Sequence, residues 1–178
     1  MQSLLGCFAL TCALLIHPRI AHALPPEQGS PSTTLGGASP YNPQNPFARI
    51  IRGELPALKV YEDKQVLAFL SLDQAAPGHV LVISKTSRAQ NIFEMAPRDL
   101  ARVMRVVQRV AKAEVKALQA DGVVIQQNNG AAGNQSVFHL HVHVVPHWAG
   151  SPPAFPRDAD GKLDSTVLAA RIAAAMVR

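Results

Sequence analysis

The stretch "VFHLHVHVVPHW", Val137–Trp148, decides the fold because its polar and apolar residues alternate. Histidines stand at every second position, at His139, His141 and His143, and aliphatic residues fill the positions between them and after them. Side chains of a β-strand point alternately to its two faces, so the pattern predicts a strand with an aliphatic core face. The three imidazoles are then expected together on the opposite, outward face, with attachment points about 7 Å apart.

The segments around this stretch predict an α+β fold. We expect a short helix over 47–54, a hairpin of strands over 57–64 and 66–73, a strand over 79–84, a long helix over 97–120, a strand over 123–129 and a terminal helix over 166–177. Short turns between the strands favour a mainly antiparallel sheet with the long helix on one face. That helix also carries a basic stripe, which we interpret as a solvated face.

Composition places broad limits on function. The chain has 178 residues, of which 48% are hydrophobic and 16% charged, so it can bury the core of one domain and is not disordered throughout. A net charge of +5 suits an anionic small molecule as well as a nucleic acid and does not distinguish them. An aromatic content of 5% argues against a stacking platform for single strands, and no nucleic-acid partner is expected.

The N-terminal region reads as a secretory signal over residues 1–23. The apolar run 4–16 is followed by Ala21-His22-Ala23, a small-x-small cleavage pattern, and the run is too short to span a bilayer. We therefore expect an exported, periplasmic protein with no stable membrane association after signal removal. No Lys or Arg precedes the run, which leaves a cytoplasmic enzyme with a misassigned start as the alternative.

Three further segments are expected after the signal. Residues 24–45 are rich in Pro, Gly and Ser and predict a flexible linker. The folded domain is predicted over 46–150, followed by a C-terminal extension with a short helix over 151–178. Both cysteines, Cys7 and Cys12, lie in the signal, so the mature chain would have no disulfide, cysteine nucleophile or thiolate zinc site.

Two chemistries explain three imidazoles on one face. Alternating histidines on a strand can supply two metal ligands, with His143, His79 or a carboxylate as a third, although no Asp or Glu lies between Asp121 and Asp158. Alternatively, a neutral imidazole attacks phosphorus when an acceptor fixes the proton on its other nitrogen. The loop "NNGAAGNQS", 128–136, suits this second chemistry because its glycines can turn backbone N–H groups toward an anion.

Several separated motifs resemble the histidine triad (HIT) superfamily of nucleotide hydrolases and transferases. They are "NPFARIIRGELPALKVYEDKQVLAF", "APGHVLVISK" and "NNGAAGNQSVFHLHVHVVPHW", which together span about residues 45–150. The resemblance implies a five-stranded antiparallel sheet with one long helix, a homodimer and a site for a purine nucleoside monophosphate. His143 favours the hydrolase branch, because the transferase branches tend to carry glutamine at that position.

The resemblance also implies a role for each triad histidine. His141 would be the nucleophile that forms a nucleotidyl-histidine, which water then resolves. His143 would contact the phosphate and the bridging oxygen, and His139 would orient His141. His79 matches a fourth histidine that is often present near the triad.

Further residues are implied in nucleotide binding. Ser136 and Gln135 would hold the phosphate and leaving group, and Asn128 would contact phosphate or ribose oxygens. The base pocket would be lined by Phe47, Ile50, Phe69 and Leu72. Ser71 stands where the family commonly has an acidic residue that binds the ribose hydroxyls, so nucleoside affinity or ribose selectivity is expected to be weaker. Two smaller departures are Asn134 in place of a frequent glycine and His147 in place of a common arginine.

Together these features predict a hydrolase that releases a nucleoside monophosphate, with AMP as the expected product. The substrate would be a phosphoramidate, an acyl-phosphate or a dinucleoside polyphosphate, and no cofactor or metal would be required. Two alternatives remain: a nucleotide- or partner-binding protein with little turnover, and a histidine metal site.

Overall fold

Five strands and three α-helices make up the part of the chain that the computed structural model describes, residues 40–176. They are α1 (Pro46–Ile51), β1 (Lys59–Glu62), β2 (Val66–Leu70), β3 (Val80–Ser84), α2 (Pro97–Leu118), β4 (Gly122–Gln126), β5 (His141–His147) and α3 (Ser165–Met176). The expected signal segment and most of the expected linker lie outside the described residues. No described helix combines the length and the apolar character needed to cross a bilayer.

The strands form one sheet in the order β1-β2-β3-β5-β4, and every neighbouring pair is antiparallel. The predicted hairpin is β1 and β2, and the histidine-bearing strand β5 lies between β3 and β4. A five-stranded antiparallel sheet with one long helix confirms the predicted α+β fold.

The main core lies between the sheet and the helices α2 and α3. Strand residues such as Val82, Val142 and Val144 meet the apolar stripe of α2, and Leu168 and Ile172 of α3 are fully buried in the same cluster. α3 packs on α2 and on β1. The predicted C-terminal extension is therefore integral to the domain, because its helix covers apolar surface that would otherwise meet water.

A smaller apolar cluster covers the other face of the sheet, which we call the α1 cluster. It contains Phe47, Ile50, Leu67, Phe69, Leu81 and Ile83. The side-chain oxygen of Asn45 accepts from the N–H of Ala48 at 2.9 Å and caps α1, and Pro46 occupies the first turn. Asn45 is buried, so the packed structure begins before the predicted boundary at residue 46.

The triad segment differs from its prediction in two respects. β5 begins at His141 rather than near residue 137, so His139 precedes the strand. The intervening Leu140 and Val142 are buried in the main core as predicted, but His139 and His141 do not face solvent, with only 2% and 4% of their surfaces exposed. The reason is the α1 cluster, whose Phe47 packs its ring edge-on against both imidazoles.

Candidate active site

Strand pairing brings the triad to the face of the sheet that α1 covers. His141 pairs with Ile83 and His143 pairs with Leu81, and both of these β3 residues face the α1 cluster. A cavity of about 560 Å³ opens beside them. Its lining consists of Pro46, Phe47, Ile50, Leu55, Pro56, Phe69, Ser71, Leu72, Asp73, His79, Leu81, Ser136, Val137, His141 and His143.

Nine of the predicted site residues therefore share one cavity. The predicted base-pocket residues Phe47, Ile50 and Phe69 line its apolar wall, and so does Leu72, which is 98% exposed and serves no core. The sequence reasoning missed Asp73, which is the acidic member of this lining. None of the described residues that line the cavity is Lys or Arg, so its hydrogen-bond donors to an anion are imidazoles and neutral groups, away from the Asp73 carboxylate.

His141 has a defined tautomer. Its Nδ1 lies 2.8 Å from the carbonyl oxygen of His139, and because a carbonyl only accepts, the proton must be on Nδ1. Nε2 consequently carries the lone pair. Burial lowers the pKa of His141 to about 4, against a smaller opposing effect of that carbonyl. The ring is therefore neutral at pH 7 and has the form that a nucleophile requires.

His143 is paired with His79. Nδ1 of His143 lies 2.9 Å from Nε2 of His79, and the two rings stack with centroids 5.1 Å apart. Nδ1 of His79 lies 3.0 Å from the carbonyl oxygen of Asp73 and 3.3 Å from the backbone nitrogen of Ala75, so it can donate to the first or accept from the second. Burial lowers the pKa of both histidines, and the proximity of His143 lowers the pKa of His79 further.

His139 lies behind His141 and does not line the cavity. Its Nε2 lies 3.0 Å from the carbonyl oxygen of Ser84, and its Nδ1 lies 2.7 Å from the hydroxyl of Tyr41. Burial lowers the pKa of His139. Its link to His141 is the backbone carbonyl described above, and the orienting role implied for it stays a prediction. Tyr41 was missed because it falls in the predicted linker.

The loop before the triad departs from its predicted role as an anion cradle. The N–H of Gly130 donates to Oε1 of Gln135, and the N–H groups of Gly133, Asn134 and Gln135 donate to carbonyls inside the loop. The amide of Gln135 is buried, and its nitrogen donates to the carbonyls of Gln90 and Val137. These groups hold the loop closed and place the Gln135 amide away from the cavity lining, and its contact with a phosphate stays a prediction.

Ser136 and Asn128, both predicted to contact the nucleotide, lie in different places relative to the cavity. Ser136 lines the cavity together with His141 and His143, as its predicted role requires. Asn128 lies outside the lining, and its amide accepts from Gln126 at 3.0 Å and donates to the carbonyl of Asn134 at 3.2 Å. Asn134 adopts a left-handed conformation at φ 63°, which asparagine tolerates, so this departure from glycine leaves the loop intact.

Ser71, at the position expected to bind the ribose hydroxyls, makes a bond within its own turn. The hydroxyl of Ser71 donates to the carbonyl oxygen of Asp73 at 2.8 Å, so it shapes the turn between β2 and β3. Asp73, two residues later, lines the cavity with an exposed carboxylate. An acidic side chain is therefore present at this end of the cavity, although not at the position where the resemblance placed it.

Metal binding was the competing chemistry for the imidazoles. Within residues 40–176, no group of three or more His, Cys, Asp or Glu side chains is arranged to hold a metal ion. The hydrogen bonds on Nδ1 of all three triad histidines give those nitrogens other partners.

The site is thus a neutral histidine of defined tautomer that faces an apolar cavity on an antiparallel sheet, within an α+β domain. A family model described as HIT domain matches residues 52–149, which is more than half of the chain. The chain therefore belongs to the histidine triad family.

Individual relatives agree with this membership. The chain is 39% identical over 102 residues to the protein Hit of Bacillus subtilis, covering 57% of this chain and 70% of that one. It is 39% identical over 100 residues to an adenylylsulfatase of Arabidopsis thaliana, covering 56% of this chain and only half of the plant protein.

Solved structures show the same relationship. A HIT-like protein of Bartonella henselae involved in cell-cycle regulation superposes with a TM-score of 0.68 at 39% identity, covering 77% of this chain and 99% of that chain. A zinc-bound histidine triad family protein of Mycobacterium smegmatis gives a TM-score of 0.64 at 37% identity, covering 73% and 90%.

Proposed function

We propose that this protein is a hydrolase that releases a nucleoside monophosphate, with AMP as product, through a nucleotidyl intermediate on His141. The main observation behind this proposal is the hydrogen bond from Nδ1–H of His141 to the carbonyl of His139. It leaves the lone pair of Nε2 available to attack phosphorus. Membership in the histidine triad family, with an adenylylsulfatase among the relatives, supports nucleotide hydrolysis as the general activity.

The proposed reaction has two steps. Nε2 of His141 attacks the phosphorus, an N–P bond forms, and the bond from phosphorus to the leaving nitrogen or oxygen breaks while His143 donates a proton to the leaving atom. Water then attacks phosphorus, the N–P bond breaks, and His143 recovers its proton from that water. Phosphoramidates, acyl-phosphates and dinucleoside polyphosphates all fit this sequence.

The substrate itself supplies the charge that His143 needs. Burial lowers the pKa of His143 in the free protein, so its ring is neutral before binding. A phosphate beside His143 and Ser136 places negative charge next to the imidazole and favours its protonated form. We therefore expect nucleotide binding to be accompanied by proton uptake.

The apolar wall and the acidic end of the cavity suit the two halves of a nucleoside. Phe47 and Phe69 offer ring contacts, 5.7 Å apart and nearly perpendicular, for a purine base. The carboxylate of Asp73 is proposed to accept from the ribose hydroxyls in place of the acidic residue that Ser71 replaces.

Turnover separates this function from the competing one, a nucleotide-binding protein with little activity. Wild-type protein dialysed against EDTA should hydrolyse adenosine phosphoramidate, and His141→Ala should lose turnover at least a hundredfold while still binding AMP in calorimetry. Tight AMP binding by the wild type without any product would support the binder. Loss of activity on dialysis, restored by zinc or manganese, would support the metal site.

We also propose a homodimer that forms along β4. This strand is an edge of the sheet, and it exposes Val124 and Ile125 to solvent, at 46% and 42% of their surfaces. Val115 of α2 is also exposed, at 47%. An unpaired strand edge with exposed aliphatic residues is a template for pairing with the same edge of a second copy.

A further inference from the structure

In the described residues before α1, 40–45, Tyr41 contacts the triad. Its hydroxyl lies 2.7 Å from Nδ1 of His139, and the ring centroids are 5.8 Å apart. The carbonyl of Ser84 can only accept, so Nε2 of His139 carries the proton and Nδ1 carries the lone pair. The hydroxyl of Tyr41 must therefore be the donor in this bond.

The segment that carries Tyr41 is anchored to α1. The side-chain nitrogen of Asn45 donates to the carbonyl of Asn42 at 2.7 Å, and Arg52 donates to the carbonyl of Pro43 at 2.8 Å. The first bond joins the segment to the residue that caps α1, and the second joins it to Arg52 at the end of the same helix. Tyr41 thus reaches His139 from a fixed segment.

His139 transmits this contact to the nucleophile. Its own carbonyl oxygen accepts from Nδ1–H of His141 at 2.8 Å, so the position of residue 139 determines where the acceptor for His141 lies. The His139 ring is 2% exposed, which leaves Tyr41 and Ser84 as its hydrogen-bonding partners in the described structure. Without the hydroxyl, Nδ1 would be a buried acceptor lacking a donor, and the ring would reorient to satisfy it.

We propose that Tyr41 is a positioning residue that holds His139 as the Nε2–H tautomer and thereby holds the His139 carbonyl against His141. This inference rests on the proposed function, because it concerns the residue assigned as nucleophile. Neither Tyr41 nor His139 lines the cavity, so the hydroxyl acts on the chemical step and not on nucleotide binding.

The kinetic test is Tyr41→Phe, which removes the hydroxyl and keeps the ring. We expect kcat for adenosine phosphoramidate to fall about tenfold with KM unchanged, because the variant loses the one hydrogen bond through which Tyr41 aligns His139. Tyr61→Phe is the matched control: Tyr61 is the chain's other tyrosine, and its hydroxyl donates to exposed Asp63. An unchanged kcat in Tyr41→Phe, or a rise in KM equal to the fall in kcat/KM, would overturn the positioning role.

A second measurement does not depend on turnover. In the free full-length protein, ¹⁵N NMR of the imidazoles should show His139 with a protonated Nε2 and a hydrogen-bonded Nδ1 acceptor, and Tyr41→Phe should move the Nδ1 signal while leaving His79 unchanged. If the wild type hydrolyses nothing, the proposed function fails while this signal still reports the contact. If the wild type is active and the signal does not move in Tyr41→Phe, the inference alone fails.

Discussion

At the scale of single residues, hydrogen bonds to backbone carbonyls define the site. The carbonyl of His139 fixes the proton of His141, and the carbonyl of Ser84 fixes that of His139. Nδ1 of His79 also lies beside a carbonyl, that of Asp73. A pattern of alternating histidines predicts that rings share a face, but it does not show which nitrogen carries a proton. The carbonyl of Ser84 lies 55 positions from His139 along the chain, and the carbonyls beside His141 and His79 are brought into place by the local backbone conformation, so the spacing of the histidines alone could not predict the tautomers.

The burial of His141 predicts an unusual acid limb in the pH profile. Because the pKa of His141 is lowered to about 4, its ring stays neutral far below pH 6.5. We expect the acid limb of kcat/KM, measured with adenosine phosphoramidate, to lie near pH 4. A limb near pH 6.5 would contradict a buried, neutral nucleophile.

The control for that pH profile is a test that the protein stays folded at each pH, because unfolding in acid would also lower the rate. A histidine whose folded-state pKa is depressed contributes stability that is present above its unfolded value of about 6.5 and is lost as pH falls toward 4. Circular dichroism at each pH should therefore show the native spectrum at every point used in the kinetic fit.

At the scale of secondary-structure elements, most of the fold could be predicted. Short apolar runs bounded by turn residues located the hairpin of β1 and β2 and the strand β3, and the apolar spacing located α2 within two residues of its end. β5 starts later than predicted because the backbone N–H of His139 donates to the carbonyl of Val137 and that of Leu140 donates to the carbonyl of Ala89, outside the ladder with β3. The loop differs from an open anion cradle because the side chain of Gln135 bonds to the backbone at Gly130 and Gln90, an interaction that local composition does not reveal.

The edge strand β4 makes a prediction about assembly. Ile125→Lys places a charge on the exposed edge, and we expect it to convert a homodimer into a monomer in sedimentation velocity. Leu58→Lys is the matched control, because Leu58 is also a partly exposed aliphatic residue but adjoins β1 at the opposite edge of the sheet. A wild-type monomer, or a dimer that survives Ile125→Lys and dissociates in Leu58→Lys, would contradict pairing along β4.

At the scale of the whole molecule, the sheet separates two environments. Its α2 face is the stabilising core, completed by α3, and its α1 face is the cavity with the triad. The core on the α2 face contains an ionisable side chain, that of Glu114. It is fully buried, and neither of its carboxylate oxygens has a hydrogen-bond partner. Burial raises the pKa of Glu114 to about 9.

Glu114 makes the stability of the whole domain depend on pH. Between about pH 4.5 and 9 the folded state holds a proton that the unfolded chain has lost, so the free energy of unfolding falls as pH rises. Glu114→Gln should remove this dependence and stabilise the protein at pH 8 relative to wild type by about 1–4 kcal/mol, with a smaller difference at pH 5. Urea unfolding at both pH values measures it. Equal pH dependence in the two proteins would show that Glu114 is ionised in the fold.

The most direct test of the central claim is to trap the covalent intermediate. Wild-type protein mixed with adenosine phosphoramidate and quenched within the first turnover should gain the mass of one adenylyl group, and peptide mapping should place that group on His141. His143→Ala should retain the same adduct, formed more slowly. A quenched sample that turns over substrate without any adduct on His141, or that carries the adduct on another histidine, would contradict the account.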